Sequence, residues 1–302
     1  MSVPFQIVVS AENTQYMGWQ TQLFCFSALT TLGQYPTIIV HQTGFPLRPE
    51  FSMLRDDGFN LIETQSFSVF RKGKYPPRNE IGSLLTIASM PSFAAEHILF
   101  CEPDMLFVGP LEYRDTLSGE FYHYLHYEQN HIMRAAEKVG LADVTEKLNE
   151  TNRIGVPYLI PVRDVKRIAS RWIEVLDAFD IPEWIDIMYA FGFALRLEGI
   201  HPETTHVMND NLLQSKSLTG RIIHYCYGDS IWSKRSFVDR SPLNKPDWSL
   251  PRANSGTVLH EIVRQIRDAK KFIPRDTLLN RFFRTLRGKG GLSRLAKGCL
   301  LF

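Results

Sequence analysis

Glu102-Pro103-Asp104 interrupts an apolar run that otherwise extends from Ile98 to Val108. Such a run reads as a buried strand, and two acids at its carboxyl end lie where open α/β sheets bind ligands. Hard divalent cations prefer carboxylate and phosphate oxygens. The pair therefore suits Mn²⁺ or Mg²⁺ held against a diphosphate, where a metal neutralises charge growing on a departing nucleotide. The same two acids would also serve simply to cap the strand and solvate a turn. His224, within Arg221-Ile222-Ile223-His224-Tyr225, either completes a carboxylate metal shell as a neutral imidazole or is a hydrogen-bonded core histidine.

Two further acids have the type needed for a general base, which must sit beside an attacking hydroxyl. They are Asp186 and Asp210. Asp186 fits equally the solvent face of a helix shared with Glu183, and Asp210, in Met208-Asn209-Asp210-Asn211, fits a turn or helix cap. Arg78 and Asn79 follow Tyr75-Pro76-Pro77, and Lys234 and Arg235 follow Trp232; these are candidate phosphate or sugar contacts, or else surface charge. Ser10 and Glu12 close the first apolar run and are candidates for binding the donor at a strand end. Trp19, Trp184 and Trp232 offer stacking faces, with Trp19 the one expected in the core.

The elements that must position these residues read as a βαβ beginning. Phe5 to Val9 is a β-branched strand, Trp19 to Leu32 followed by Gly33 is a helix with a glycine stop, and Thr37 to Val40 is a second strand. Asn60 to Thr64 is a further short strand, with a helix expected over about 80–90. After the Ile98–Cys101 strand, 120–150 reads as a polar helical insertion. Tyr158 to Pro161 reads as a strand, and Arg163 to Phe179 and Ile185 to Leu197 as helices. Ile222 to Tyr227 returns to strand character, 236–256 to a Pro-, Ser- and Asn-rich wrapping loop, and Thr257 to Phe272 to an amphipathic helix.

The chain has 302 residues, 44% hydrophobic and 22% charged, with a formal charge of +2. These values fit a globular protein and exclude wholesale disorder and a strongly basic nucleic-acid binder. Cys25, Cys101, Cys226 and Cys299 form no C-x-x-C pair, so neither a zinc site nor a disulfide framework is indicated. The opening MSVPFQIVVSAENTQ has the features of neither a signal peptide nor a membrane span, and a cytoplasmic location is expected, with apposition to the inner face of a membrane as its extension. Residues 1–274 are expected to form one domain and 275–302 a basic helical tail. In that tail Arg281, Arg284, Arg287, Lys289, Arg294 and Lys297 alternate with leucines and phenylalanines; it either lies on an anionic membrane surface or is solvated.

Several segments taken in order resemble the plant and algal hydroxyproline O-arabinosyltransferases and the related peptidyl serine galactosyltransferases. Tyr16-Met17-Gly18-Trp19-Gln20 is similar to the family's Tyr-x-x-Trp-Gln, Tyr75-Pro76-Pro77-Arg78-Asn79 to its Tyr-Pro-Pro-x-Asn, and Ile98 to Leu111 to its acidic strand end. Ile154-Gly155, Met188-Tyr189-Ala190, Ile223-His224-Tyr225-x-Tyr227-Gly228 and Trp232 to Phe237 continue the match, which fades after about Pro274. The resemblance implies an α/β, Rossmann-like GT-A fold with a mixed central sheet flanked by helices. It also implies a UDP-sugar donor, a divalent cation at Glu102 and Asp104 with His224 as C-terminal partner, and transfer to a hydroxyl. Arabinofuranose and galactose are the sugars it suggests; the acceptor is a glycan, a lipid-linked saccharide or a peptide. The chain departs from the family at Ile187, where a glutamate usually precedes Met-Tyr, and has Asp186 one position earlier. A non-catalytic sugar-nucleotide binder and a membrane-surface scaffold are the rival readings.

Overall fold

The computed structural model describes residues 5–272 apart from 72, 91, 92, 94, 113, 210, 211, 217 and 227. The basic tail and Asp210 lie outside the described residues. In chain order the elements are β1 (Phe5–Glu12), α1 (Gln15–Leu32), β2 (Thr37–Gln42), α2 (Pro49–Asp56), β3 (Asn60–Gln65), β4 (Val69–Phe70), β5 (Gly73–Lys74) and α3 (Arg78–Ala88). There follow β6 (His97–Cys101), β7 (Met105–Phe107), β8 (Ser118–Phe121), α4 (Asn130–Lys138), α5 (Thr145–Thr151), β9 (Ile154–Pro161), α6 (Val162–Leu176), α7 (Asp186–Leu197), β10 (Glu203–Thr205), β11 (Ile222–His224) and α8 (Val258–Phe272). No described helix is long and apolar enough to cross a membrane.

Seven strands form one sheet in the order β10-β8-β9-β6-β1-β2-β3. β1 pairs in parallel with β2 and β6, β2 with β3, and β10 with β8, whereas β9 runs antiparallel to both its neighbours. The central strands β6 and β9 are buried at every position, as their unbroken apolar runs require when helices cover both faces. Crossovers between parallel strands are right-handed, so the outward steps β1-α1-β2-α2-β3 and the return through α3 to β6 place α1 and α2 on one face and α3 on the other. The chain reverses direction between β1 and β6, the topological switch point at which α/β sheets open a ligand crevice. β1 is level with β6 at Val9 and Cys101, so Ser10 to Glu12 and Glu102 overhang that crevice together.

Local chemistry explains the boundaries. Thr14 caps α1 by accepting from the Met17 amide at 3.2 Å, and Gly33 ends it at φ 68, the left-handed stop that glycine adopts without a Cβ clash. The helix therefore starts at Gln15 rather than Trp19. The strand expected over Ile222 to Tyr227 stops at His224. The polar stretch 120–150 opens with β8, whose Glu120 is buried because its carboxylate accepts from Val207 N at 2.8 Å and Thr205 Oγ1 at 3.2 Å. The 236–256 segment wraps the molecule through three short 3-10 turns, Lys234–Phe237, Pro242–Asn244 and Asp247–Ser249.

A second apolar cluster lies beside the main core. Leu106 of β7, Ile223 and Tyr225 pack with Trp19 and Leu23 of α1 and with Leu259, Ile262, Val263 and Ile266 of α8. It backs the two-stranded β7–β11 ribbon, which stands apart from the large sheet.

Candidate metal centre and donor cleft

The ribbon explains how acids at 102–104 meet a histidine more than a hundred residues later. β7 and β11 pair antiparallel with His224 opposite Met105, which places the imidazole one residue from Asp104. Backbone bonds close both ends, Tyr225 N to Asp104 O at 3.0 Å and Val108 N to Arg221 O at 2.8 Å. Side chains fix the ribbon to its supports: the Phe107 amide donates to Ser27 Oγ at 3.1 Å, and the Phe107 carbonyl accepts from Thr31 Oγ1 and Gln265 Nε2, each at 3.0 Å. Packing alone would let such a short ribbon slide; these bonds set its register.

His224 Nε2 lies 3.0 Å from Glu102 Oε2 and 3.4 Å from Asp104 Oδ1. Both ring nitrogens are buried, yet neither is in hydrogen-bonding geometry. One ligand atom each from Glu102, Asp104 and His224 falls within 4.8 Å of the others. Two carboxylate oxygens and an imidazole nitrogen converging on one point fit a hard or borderline divalent cation.

Lys234 completes the group. Its Nζ donates to Asp104 Oδ2 in a short ion pair, both side chains being largely buried. The turn that delivers it is held by Trp19 Nε1 donating to Phe237 O at 3.1 Å and by Ser233, whose hydroxyl accepts from Arg235 N at 3.3 Å. Gly228 lets the chain double back: a Cβ there would sit 2.6 Å from Ser233 Cα. Burial alone would raise the Asp104 pKa, but the charges of Lys234 and His224 outweigh it and hold the carboxyl well below its ordinary range. Burial likewise works against charge on His224 and Lys234, and Asp104 reverses it, raising both.

The cleft over this group encloses about 350 Å³, within the range of small-molecule sites. Its polar end carries Glu102, Asp104, His224, Lys234 and Arg235; its other wall is largely apolar, with Tyr122, Val156, Ile185, Ile187 and Met188. A smaller cavity of about 60 Å³ adjoins it, lined by Ser10, Glu12 and Asn79. Asn79 Nδ2 donates to Glu12 Oε1 at 3.0 Å, and burial pushes the Glu12 carboxyl upward against that bond. The Ser10 and Ser83 hydroxyls are 2.8 Å apart, with Ser83 in turn 2.8 Å from His41 Nε2.

Thus Glu102, Asp104, His224 and Lys234 come together, with Ser10, Glu12 and Asn79 alongside. Two expected residues turn elsewhere. Arg78 donates to the Val69 carbonyl at 2.7 Å and lies over the Phe70 ring at 6.0 Å; it braces the β4–β5 hairpin rather than lining the cleft. Asp186 is neither on a solvent face nor in the cleft. Its side chain is fully buried, accepting from Glu183 N at 2.7 Å and lying 3.3 Å from His131 Nε2, because it closes the turn that leads into α7. Trp19 and Trp232 are core residues, whereas Trp184 is 63% exposed and lines both cavities. Sequence reasoning missed Glu80, which also lines both cavities; burial and then the charge of Glu102 raise its pKa well above the usual carboxyl range. An acid in the first turn of a helix reads as a response to the helix dipole, which hides this second role.

The chain has the GT-A glycosyltransferase fold. Among solved structures it is similar to the galactosyltransferase LgtC in complex with donor and acceptor sugar analogs, with a TM-score of 0.52 and 12% identity over 94% of this chain and 100% of that one. An active-site mutant of LgtC gives a TM-score of 0.54 at 11% identity, again over 94% of this chain and 100% of that chain. No protein-family model matches the sequence, and no curated protein sequence matches it.

Proposed function

We propose that this protein is a divalent-metal-dependent glycosyltransferase that moves a sugar from a UDP-sugar to a hydroxyl group. The observation carrying this reading is the convergence of Glu102, Asp104, His224 and Lys234 at the switch-point crevice. The GT-A fold, shared with a galactosyltransferase, and the sequence resemblance to the arabinosyl- and galactosyltransferases support it. Galactose and arabinofuranose are the proposed sugars, and a glycan, lipid-linked saccharide or peptide the proposed acceptor.

In this reading Glu102, Asp104 and His224 hold Mn²⁺ or Mg²⁺, which supplies positive charge against the diphosphate as the leaving group develops negative charge. Lys234, released from Asp104, adds a second positive charge to the phosphates. Ser10, Glu12 and Asn79 line the nucleotide end. The apolar wall of Tyr122, Val156 and Ile187 keeps water from the reacting carbon.

The position of Asp186 favours one rival, a protein that binds sugar nucleotides without transferring, because its carboxylate is engaged away from the cleft. UDP release separates the two. Incubated with UDP-galactose, UDP-glucose or UDP-arabinofuranose, a transferase liberates UDP in Mn²⁺ and stops in EDTA. UDP release no greater than in buffer, from every donor, would overturn the proposal.

A further inference from the structure

We propose that Glu80 recognises the hydroxyl groups of the donor's sugar, at a subsite formed where the two cavities of the cleft meet, with Trp184 as its aromatic wall. The inference rests on the cleft being a UDP-sugar site. The residues common to both cavities are Met17, Glu80, Glu102, Pro103 and Trp184. Glu102 belongs to the candidate metal centre. A sugar bonded to a diphosphate held there would come within reach of this shared wall, since only one phosphate separates the ring from the nucleotide's own and Glu102 lines both cavities.

Sugar rings need two things from a protein: acceptors for their hydroxyls and an apolar face for their C–H groups. Most polar groups around the cleft are already committed. Asp104, His224 and Lys234 serve one another, the Tyr122 hydroxyl donates to Val156 O at 2.9 Å, and Gln20 Nε2 donates to Tyr16 O at 2.8 Å. Glu80 differs. It projects from the first turn of α3 into both cavities, and its carboxylate makes no hydrogen bond or ion pair among the described residues, its environment being burial and the charge of Glu102. Glu80 is half-buried and its carboxyl oxygens are not sealed from solvent, so they are free to accept from a ligand's hydroxyls. Two oxygens on one carbon match a pair of neighbouring hydroxyls, and the exposed indole of Trp184 offers the flat face.

The experiment is calorimetric titration of the Mn²⁺-loaded full chain with UDP, UDP-galactose, UDP-glucose and UDP-arabinofuranose, for the native protein, Glu80→Gln and Glu80→Ala. Loss of the pair of hydrogen bonds between sugar hydroxyls and this carboxyl group weakens binding about tenfold. UDP affinity is expected to stay unchanged in both variants, which also shows that they fold. The affinity that the preferred sugar adds over UDP should fall by that factor. The inference is overturned if that added affinity survives in Glu80→Gln, if UDP weakens in step with the UDP-sugars, or if no sugar alters the affinity of the native protein. Absence of UDP binding to the native protein would instead remove the UDP-sugar reading on which the subsite rests.

Discussion

Replacing Asp104 by Asn keeps the shape of the side chain and removes its charge, and the structure fixes what that change leaves behind. The Lys234 side chain is 15% exposed and that of Asp104 6%, so the substitution strands a nearly buried ammonium. Removing one partner of a buried pair costs about 3–5 kcal/mol. Lys234 opens on the cleft and water can replace part of the lost interaction, so a loss of about 2–3 kcal/mol in EDTA is the expected value. In a chain of this size that lowers the melting temperature by about 3–5 °C. Metal-dependent UDP binding should suffer more. Loss of a residue that merely orients a metal ligand costs about 10- to 100-fold in affinity, and loss of a carboxylate ligand itself should cost at least about 100-fold. Chemical denaturation in EDTA measures the first effect, and titration of UDP with Mn²⁺ the second. A variant as stable as the native chain, with unchanged Mn²⁺-dependent UDP binding, would refute both the ion-pair argument and the assignment of the metal centre.

Burial lowers the His41 pKa from 6.5 to about 4, against its bond to the Gln65 carbonyl. The unfolded chain therefore binds the extra proton first, and stability is complete above pH 6.5 and falls by about 3 kcal/mol as the pH drops to about 4; denaturation of His41→Gln should lose this segment of the acid dependence, and an unchanged profile would contradict the assignment. In the metal-free protein burial disfavours a charged His224, but Asp104 keeps it protonated above its usual range. A cation needs the bare nitrogen, so Mn²⁺ affinity should rise with pH, about tenfold per unit while one proton is displaced, and a flat profile by titration would count against His224 as a ligand. A Cβ on Gly155 would meet Met188 Sδ and Tyr122 Cδ2, both at 2.7 Å, so Gly155→Ala should cost about 1–3 kcal/mol and reduce UDP release by reshaping the cleft wall; native kinetics in that variant would show the wall to be uninvolved. Mn²⁺ should bind more tightly with UDP present than without, by about 1–3 kcal/mol, because the phosphates receive the Lys234 charge that the metal displaces; equal affinities would show that the two ligands do not share Lys234.

Much of this was legible in the sequence because the signals are local. An acidic pair breaking an apolar run marks the end of β6, and alternation of strand and helix marks the parallel half of the sheet. What escaped is long-range. The three residues of β10 (Glu203–Thr205) and four of β8 (Ser118–Phe121) carry no periodicity, and their place is set by pairing with distant strands. Asp186 could not be oriented by its spacing, since its direction depends on the Glu183 amide and on His131 in another helix. Glu80 was masked by its position in the first turn of a helix, a place where acids are common for reasons unrelated to ligands.

The charge arrangement explains how so polar a group can exist within a protein before any ligand arrives. Glu102 and Asp104 face Lys234 and His224, and Asp104 favours the protonated imidazole against its burial, so negative charge meets positive and little net charge is buried. In the proposed reaction Glu102, Asp104 and a neutral His224 would hold the cation, and Lys234, no longer required by Asp104, would be free to face the diphosphate. The cation would then offset the two carboxylates, and the Lys234 charge would offset part of the diphosphate's. On the proposed reading Lys234 would serve the empty cleft and the filled one in turn, from a short turn tied back to α1 through Trp19 and Phe237, while His224 is held by the β7–β11 ribbon.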